Sequence, residues 1–165
     1  MTLLYKTKKY LEEKLENSCN IITKLPKAII MDVDDTLVKT GTQFKLIKLK
    51  NHTIFIYPGI KEMIDVAKKA HQLKYNIIII TARPKSSFLS TKFNLDLLGV
   101  PYKEIYMNDE NLPITFKYHV RKHLMTKYSI LFTVGDQIPD VDGPPGLLGI
   151  KLPSKDSNKV YIYSN

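Results

Sequence analysis

The chain has a single cysteine, Cys19, so an intramolecular disulfide is excluded and nothing in the sequence calls for an oxidising compartment. Long apolar runs are also missing. The longest, Ile77 to Ile80 with its neighbours, is far too short to cross a bilayer, so no membrane span is expected. The first residues mix Lys6, Lys8, Lys9 and Glu12 with scattered leucines and lack the apolar core and small-residue cleavage site of a signal peptide. A reducing, cytoplasmic setting is therefore the expectation. No internal repeat or linker is evident. What is present is ordinary globular composition, 44% hydrophobic and 25% charged over 165 residues, enough for one domain with a core and unlike disordered or fibrous chains. Lys and Arg outnumber Asp and Glu by 25 to 16, a net charge of +9 that suits nucleic acid, nucleotides or an anionic membrane face, and equally a solubilising surface.

Periodicity separates the chain into elements. Leu4, Leu11, Leu15 and Cys19 recur near helical spacing and predict an amphipathic helix before Pro26, read as a packing or partner-binding extension over residues 1–25. Ala28 to Val33 is short, apolar and β-branched, as in a strand buried on both faces of a parallel sheet. Phe44 to Tyr57 has two apolar arms around Asn51-His52, a hairpin pattern closed by Pro58-Gly59. Met63, Ile64, Ala67, Ala70 and Leu73 predict a helix, followed by a strand from Tyr75 to Ile80. A second helix is expected from Ser86 to Leu98, stopped by Gly99 and Pro101, then a short strand at Ile105 to Met107. Phe116, Val120, Leu124 and Tyr128 predict a third helix with Arg121 and Lys122 turned outward. Strands at Ile130 to Val134 and Leu147 to Leu152 complete an α/β pattern with a parallel sheet covered on both sides.

Polar chemistry collects at three strand ends. Asp32, Asp34, Asp35 and Thr36 follow the first, Thr81, Ala82 and Arg83 the next, and Gly135, Asp136 and Asp140 a later one, with Lys117 opening the third helix. In open α/β sheets ligands bind beyond the carboxyl ends of the strands. Alternation along an extended strand puts Asp32 and Asp34 on one side. Taken singly, each feature also has a structural reading: an Asp-rich strand end as a turn or helix cap, Thr81 as a satisfied hydroxyl, Lys117 as a solvated lysine. His119 and His123 lie four apart without a third ligand or acidic partner, and surface or core roles suit them better than metal binding.

In order along the chain, AIIMDVDDTL, IIIITARP, FKYHVRK and FTVGDQIPD resemble the four hallmarks of the haloacid dehalogenase (HAD) superfamily, and the resemblance spans nearly everything beyond Pro26. TARP with LGVPY, HVRK and GDQIPD is most similar to its small acid-phosphatase branch, subfamily IIIB. The resemblance implies a three-layer α/β/α Rossmann-like fold over residues 26–165 and a Mg²⁺-dependent phosphatase. Asp32 would be the nucleophile that forms a phosphoaspartate, and Asp34 the acid and base. Lys117, Thr81, Ala82 and Arg83 would hold the substrate phosphate. Asp32, the backbone carbonyl of Asp34, and Asp136 would bind Mg²⁺, with Thr36 and Asp140 supporting them and Asp140 also holding Lys117.

Both intervals where relatives insert a cap domain are short, so the site is expected to be capless and open beside a small hairpin flap. Capless members tend to take larger substrates or to borrow another subunit as a lid, which leaves room for a homo-oligomer. Lys45, Lys48 and Lys50 on the hairpin suggest steering of a polyanionic substrate, or protection of an exposed strand edge from aggregation. The expected partner is a phosphorylated substrate, including nucleotides and nucleic acid. Two further readings stay open: a polynucleotide 3′-end phosphatase of the same fold, and a catalytically silent, basic binding module.

Overall fold

The computed structural model describes residues 1–42, 44–109, 112–113, 115–154 and 157–165. Its elements follow in chain order: helix α1 (Leu3–Ser18), strand β1 (Lys27–Met31), strands β2 (Lys45–Leu49) and β3 (His52–Ile56), helix α2 (Lys61–Gln72), strand β4 (Asn76–Pro84), helix α3 (Phe88–Leu97), strand β5 (Tyr102–Asn108), helix α4 (Phe116–Leu124), strand β6 (Ser129–Gly135), the short helix α5 (Ile138–Val141), and strands β7 (Leu148–Lys151) and β8 (Tyr161–Ser164). The main sheet is ordered β5-β4-β1-β6-β7-β8 and is parallel except for the edge strand β8. The fold is thus the α/β, three-layer arrangement expected. Helix α5 and strand β8, four residues each, add to the elements expected from the sequence.

Strand alternation builds two cores from one sheet. Ile29, Met31, Ile77 and Ile79 face α1 and α2 and pack with Leu11, Leu15, Met63 and Val66. Ala28, Ile30, Ile78 and Ile80 face the other way and meet Phe116, Leu124 and Tyr128 from α4 and the turn after it. The chain leaves β1 to build β4 and β5 on one side and returns to build β6 and β7 on the other. That reversal opens a crevice at the carboxyl end of β1.

Between β1 and α2 the chain makes its one excursion, the β2–β3 hairpin. A narrow neck closes it: Val38 bridges Gly59, the Lys39 amide donates to the Pro58 carbonyl at 2.9 Å, and the Ile60 amide to the Leu37 carbonyl at 2.8 Å. The hairpin rests on α3. Buried Asn94 clasps the Tyr57 backbone from both sides, accepting from its N–H at 2.8 Å and donating to its carbonyl at 3.1 Å. It is therefore a fixed wall.

The structure corrects two expectations. Arg121 is not on the outer face of α4 but is 1% exposed, because it lies one turn after Lys117 on the face turned toward α5. The three hairpin lysines, expected to steer a polyanion together, divide between faces: β2 and β3 pair in regular antiparallel register, and Lys45 and Lys48, an odd number of residues apart, point to opposite sides.

Helix α1 is part of the main core through fully buried Leu11 and Leu15. Leu15→Ala is expected to cost about 2–5 kcal/mol, read from the shift of a urea midpoint. A loss below about 1 kcal/mol would show that α1 contributes nothing to that core.

Candidate active site

Asp32 follows β1 directly, and its amide donates to the Val134 carbonyl of β6 at 3.0 Å, which fixes the backbone at the crevice floor. The chain then turns sharply. Leu37 and Val38 amides both return to the Val33 carbonyl, at 2.8 and 3.0 Å, and Asp35 takes a left-handed φ of 51°. The Asp35 carboxylate accepts from the amide and the hydroxyl of Thr40, both at 3.0 Å, and holds this unusual conformation for a non-glycine residue. The turn lifts Asp34 to the rim while Asp32 stays buried beneath it.

Together with Asp35, Ala82, Gln137 and Pro139, the residues Asp32, Asp34, Lys117, Asp136 and Asp140 line one cleft of about 210 Å³. The Lys117 ammonium donates to Asp32 Oδ1 at 2.8 Å and to Asp140 Oδ1. Asp140 Oδ2 accepts from the Gln137 amide at 2.9 Å, and the Thr133 hydroxyl donates to the Asp140 carbonyl at 2.7 Å. A β-carbon at Gly135 would overlap the Asp140 side chain, so only glycine at that position lets the acidic loop close this tightly. Arg121 completes the clamp, donating from Nη2 to the Pro139 carbonyl at 2.6 Å and to that of Asp142.

The cluster has more negative charge than its own cations neutralise. Carboxylate oxygens of Asp32, Asp136 and Asp140 lie within 4.8 Å of one another, and all three residues are buried. Burial, then the charge of Asp140, push the Asp32 carboxyl up to about 8 despite Lys117; the Asp34 charge adds to the rise. Burial likewise raises Asp136, with Asp140 and Asp35 adding to it. For Lys117, burial acts to lower the pKa, but the charges of Asp32 and Asp140 outweigh it and the net shift is upward. Both ends of the Lys117–Asp32 pair thus shift upward, which favours the charged lysine and the protonated aspartate. One ammonium shared between two buried carboxylates accounts for both. A set of hard oxygen donors with surplus negative charge is what a small divalent cation fits.

At the rim, Arg83 grips Asp34, with Nε 3.0 and 3.1 Å from its two oxygens and Nη2 2.7 Å from Oδ1. Arg83 Nη1 donates to the Thr91 hydroxyl at 3.1 Å, and the guanidinium lies 5.4 Å from the Tyr57 ring centroid. Thr81 and Thr36 are fully buried beneath the cleft: the Thr81 hydroxyl accepts from the Arg83 amide at 3.2 Å, while that of Thr36 has no hydrogen-bond partner. The sequence reading passed over Tyr57, Thr91, Asn94 and Gln137. Thr91 and Asn94, three apart on α3, form a buried polar pair on one helix face, and that spacing was the available signal.

A larger cavity of about 560 Å³ lies on the far side of the Asp35 turn, where Leu4, Gly59, Ile60, Leu152 and Pro153 meet Lys39, Lys61 and Glu62. Apart from Asp35 it holds none of the clustered carboxylates, so volume does not mark the chemistry here. Among the described residues, no helix is long and apolar enough to cross a membrane.

Comparison with known proteins places this geometry. No curated protein matches the chain. Among solved structures, the class C acid phosphatase from Bacillus anthracis superposes with a TM-score of 0.64 at 21% identity, over 85% of this chain and 64% of that one. The same enzyme with tungstate bound gives 0.63 at 20%, over 87% and 65%. A chain of the Pnkp1/Rnl/Hen1 RNA repair complex gives 0.54 at 23%, over 73% of this chain and 39% of that one. This chain therefore spans just under two thirds of the acid phosphatase and well under half of the repair protein; at these identities the likeness is one of fold. The sequence itself matches the model of HAD superfamily subfamily IIIB (acid phosphatase) from residue 2 to residue 162, and the protein belongs to that family.

Proposed function

We propose that the protein hydrolyses phosphate monoesters, with Asp32 as nucleophile and Asp34 as general acid and base. The observation that carries this reading is the buried Asp32 carboxylate, held 2.8 Å from Lys117 at the crevice where the sheet order reverses. Membership of an acid-phosphatase subfamily supports the reaction class. An Asp32 oxygen attacks phosphorus in line, the bond from phosphorus to the ester oxygen breaks, and Asp34 gives its proton to the departing oxygen. Water then attacks the phosphoaspartate, Asp34 takes its proton, and inorganic phosphate leaves with Asp32 restored. Lys117 opposes the charge on the transferred group, while Ala82 of β4 lines the cleft beside it and Thr81, buried beneath, steadies that segment by accepting from the Arg83 amide.

Asp32, Asp136 and the Asp34 carbonyl would hold Mg²⁺, whose chemistry when bound is to neutralise phosphoryl oxygens and keep Asp32 ionised. Asp140 has both carboxylate oxygens engaged, by Lys117 and the Gln137 amide, which suits it to anchoring the lysine. Arg83 is committed to Asp34 and Thr91, and so sets the position of the acid and base.

A second reading, a polynucleotide end phosphatase, is favoured by one feature. Next to Arg83 stands the ring of Tyr57, and the Phe44 ring lies 5.6 Å beyond it, a surface for a planar leaving group. The likeness to a chain of an RNA repair complex agrees with it.

Release of phosphate from an aryl phosphate is expected to require Mg²⁺ and to fall about 10³-fold or more in Asp32→Asn. Absence of metal-dependent turnover in the wild type would point instead to a binding module that keeps the fold. A second test uses stability. Folded Asp32 holds its proton up to about pH 8, whereas the unfolded carboxyl, near 3.8, releases it much earlier. The folded state binds more protons between those values, so stability without metal falls as pH rises through that window. Thermal melts in chelator are expected to show a lower Tm at about pH 8 than at about pH 5, and Mg²⁺ to abolish most of the difference. Equal melting temperatures in chelator would contradict the charge surplus assigned to the cleft.

A further inference from the structure

The side chains of the hairpin sort by strand parity. Leu46 pairs with Phe55 and Lys48 with Thr53, and directly opposed residues share a face. Phe44 and Tyr57 extend that face: the Phe44 ring lies 5.4 Å from Phe55 and 5.6 Å from Tyr57. The opposite face carries Ile47 and Ile54, and Ile54 is buried. The outer face stays in solvent, with Phe44, Leu46 and Phe55 at 45%, 56% and 40% exposure. Three large apolar side chains left together on a two-stranded ribbon mark a binding surface more often than a fold requirement.

Two observations say what covers it. One is continuity: the aromatic row begins at Tyr57, whose ring lies 5.4 Å from the Arg83 guanidinium, and Arg83 is 2.7 Å from Asp34, so the face runs directly out of the candidate active site. The other is charge. Beyond the aromatic rings come Lys48 and Lys50 on a chain of net charge +9, which opposes docking of a second copy and favours a polyanion. Same-face rungs of a strand stand about 7 Å apart, and aromatic rungs followed by cations form a stacking platform with an electrostatic guide. The platform is rigid, since Asn94 fixes the Tyr57 backbone and the Phe55 amide donates to the Ser90 hydroxyl at 3.4 Å.

We propose that the outer face of the hairpin is the track for a single-stranded nucleic acid whose terminal phosphate enters the cleft, with a base behind the terminal nucleotide on Phe55 and the strand's phosphates passing Lys48. The proposal rests on the phosphohydrolase reading and extends it from the phosphate to the polymer. Lys48 lies on this face and Lys50 in the turn at its far end; Lys45, on the other face, takes no part.

The test compares kcat/KM for a 3′-phosphorylated hexanucleotide with that for a nucleoside 3′-monophosphate, in wild type, Phe55→Ala, Phe55→Tyr and the double change Lys48→Gln with Lys50→Gln. The hexamer is expected to be preferred about tenfold or more at low salt. Phe55→Ala should remove most of that preference and Phe55→Tyr retain it, while the lysine change should flatten its salt dependence. A wild type that turns over both substrates equally, or a preference that survives Phe55→Ala, overturns the track. If neither substrate is hydrolysed, the phosphatase reading is what has failed. Fluorescence anisotropy of a labelled unphosphorylated hexanucleotide then decides the track alone: binding weakened about tenfold in Phe55→Ala supports it, and binding that is absent or unchanged refutes it.

Discussion

One ammonium group, that of Lys117, lies between the buried carboxylates of Asp32 and Asp140, and much of the surrounding structure serves to keep it there. Removing charged groups from water costs several kcal/mol for each ion unless geometry and further hydrogen bonds repay it. The repayment is visible residue by residue. Gly135 gives up its side chain so that Asp140 can approach, Thr133 and the Gln137 amide satisfy Asp140, and Arg121 holds the carbonyls of Pro139 and Asp142 on either side of it. Lys117 and Arg121, one helical turn apart, fasten α4 to the acidic loop at two points.

The sheet order explains why this costly arrangement sits where it does. β1 is central, flanked by β4 and β6, so the residue after β1 faces two neighbouring strand ends that carry polar groups. Side chains from different segments converge there, and the carbonyls that the acidic loop buries are satisfied by Thr133 and Arg121. The residual negative charge is the other half of the design: Asp32, Asp136 and Asp140 share one nearby lysine, a surplus of carboxylates that suits a divalent cation. On the opposite rim the charge is balanced internally, because Arg83 spends its donors on Asp34 and Thr91. The cleft thus has a hungry floor and a satisfied lip.

The hairpin shows how far composition can mislead about a surface. Lys45, Lys48 and Lys50 read as one basic group in the sequence, but in an antiparallel ribbon an odd spacing sends side chains to opposite faces, and only the paired register shows which lysine keeps company with the aromatic rings. The same excursion reads only as a small hairpin flap when just its strands can be seen. Its attachment through Asn94 and Ser90 depends on side chains that lie far along the chain, on α3.

By itself the sequence determined the alternation of apolar strands and helices, the α/β class, the three polar strand ends with the lysine that opens a helix, and the short intervals between these motifs, because each is written in local periodicity or in short spacings. The β-branched runs of β1 and β4 and the heptad-like stripe of α2 needed no partner to be recognised. Tertiary structure alone decided the rest. It turned Arg121 inward, paired Lys117 with two carboxylates instead of one, tied Arg83 to Asp34, and placed Tyr57 beside that pair. Charge pairing and burial depend on distances between residues tens of positions apart, and those distances exist only after the sheet has been ordered and its strand ends brought together.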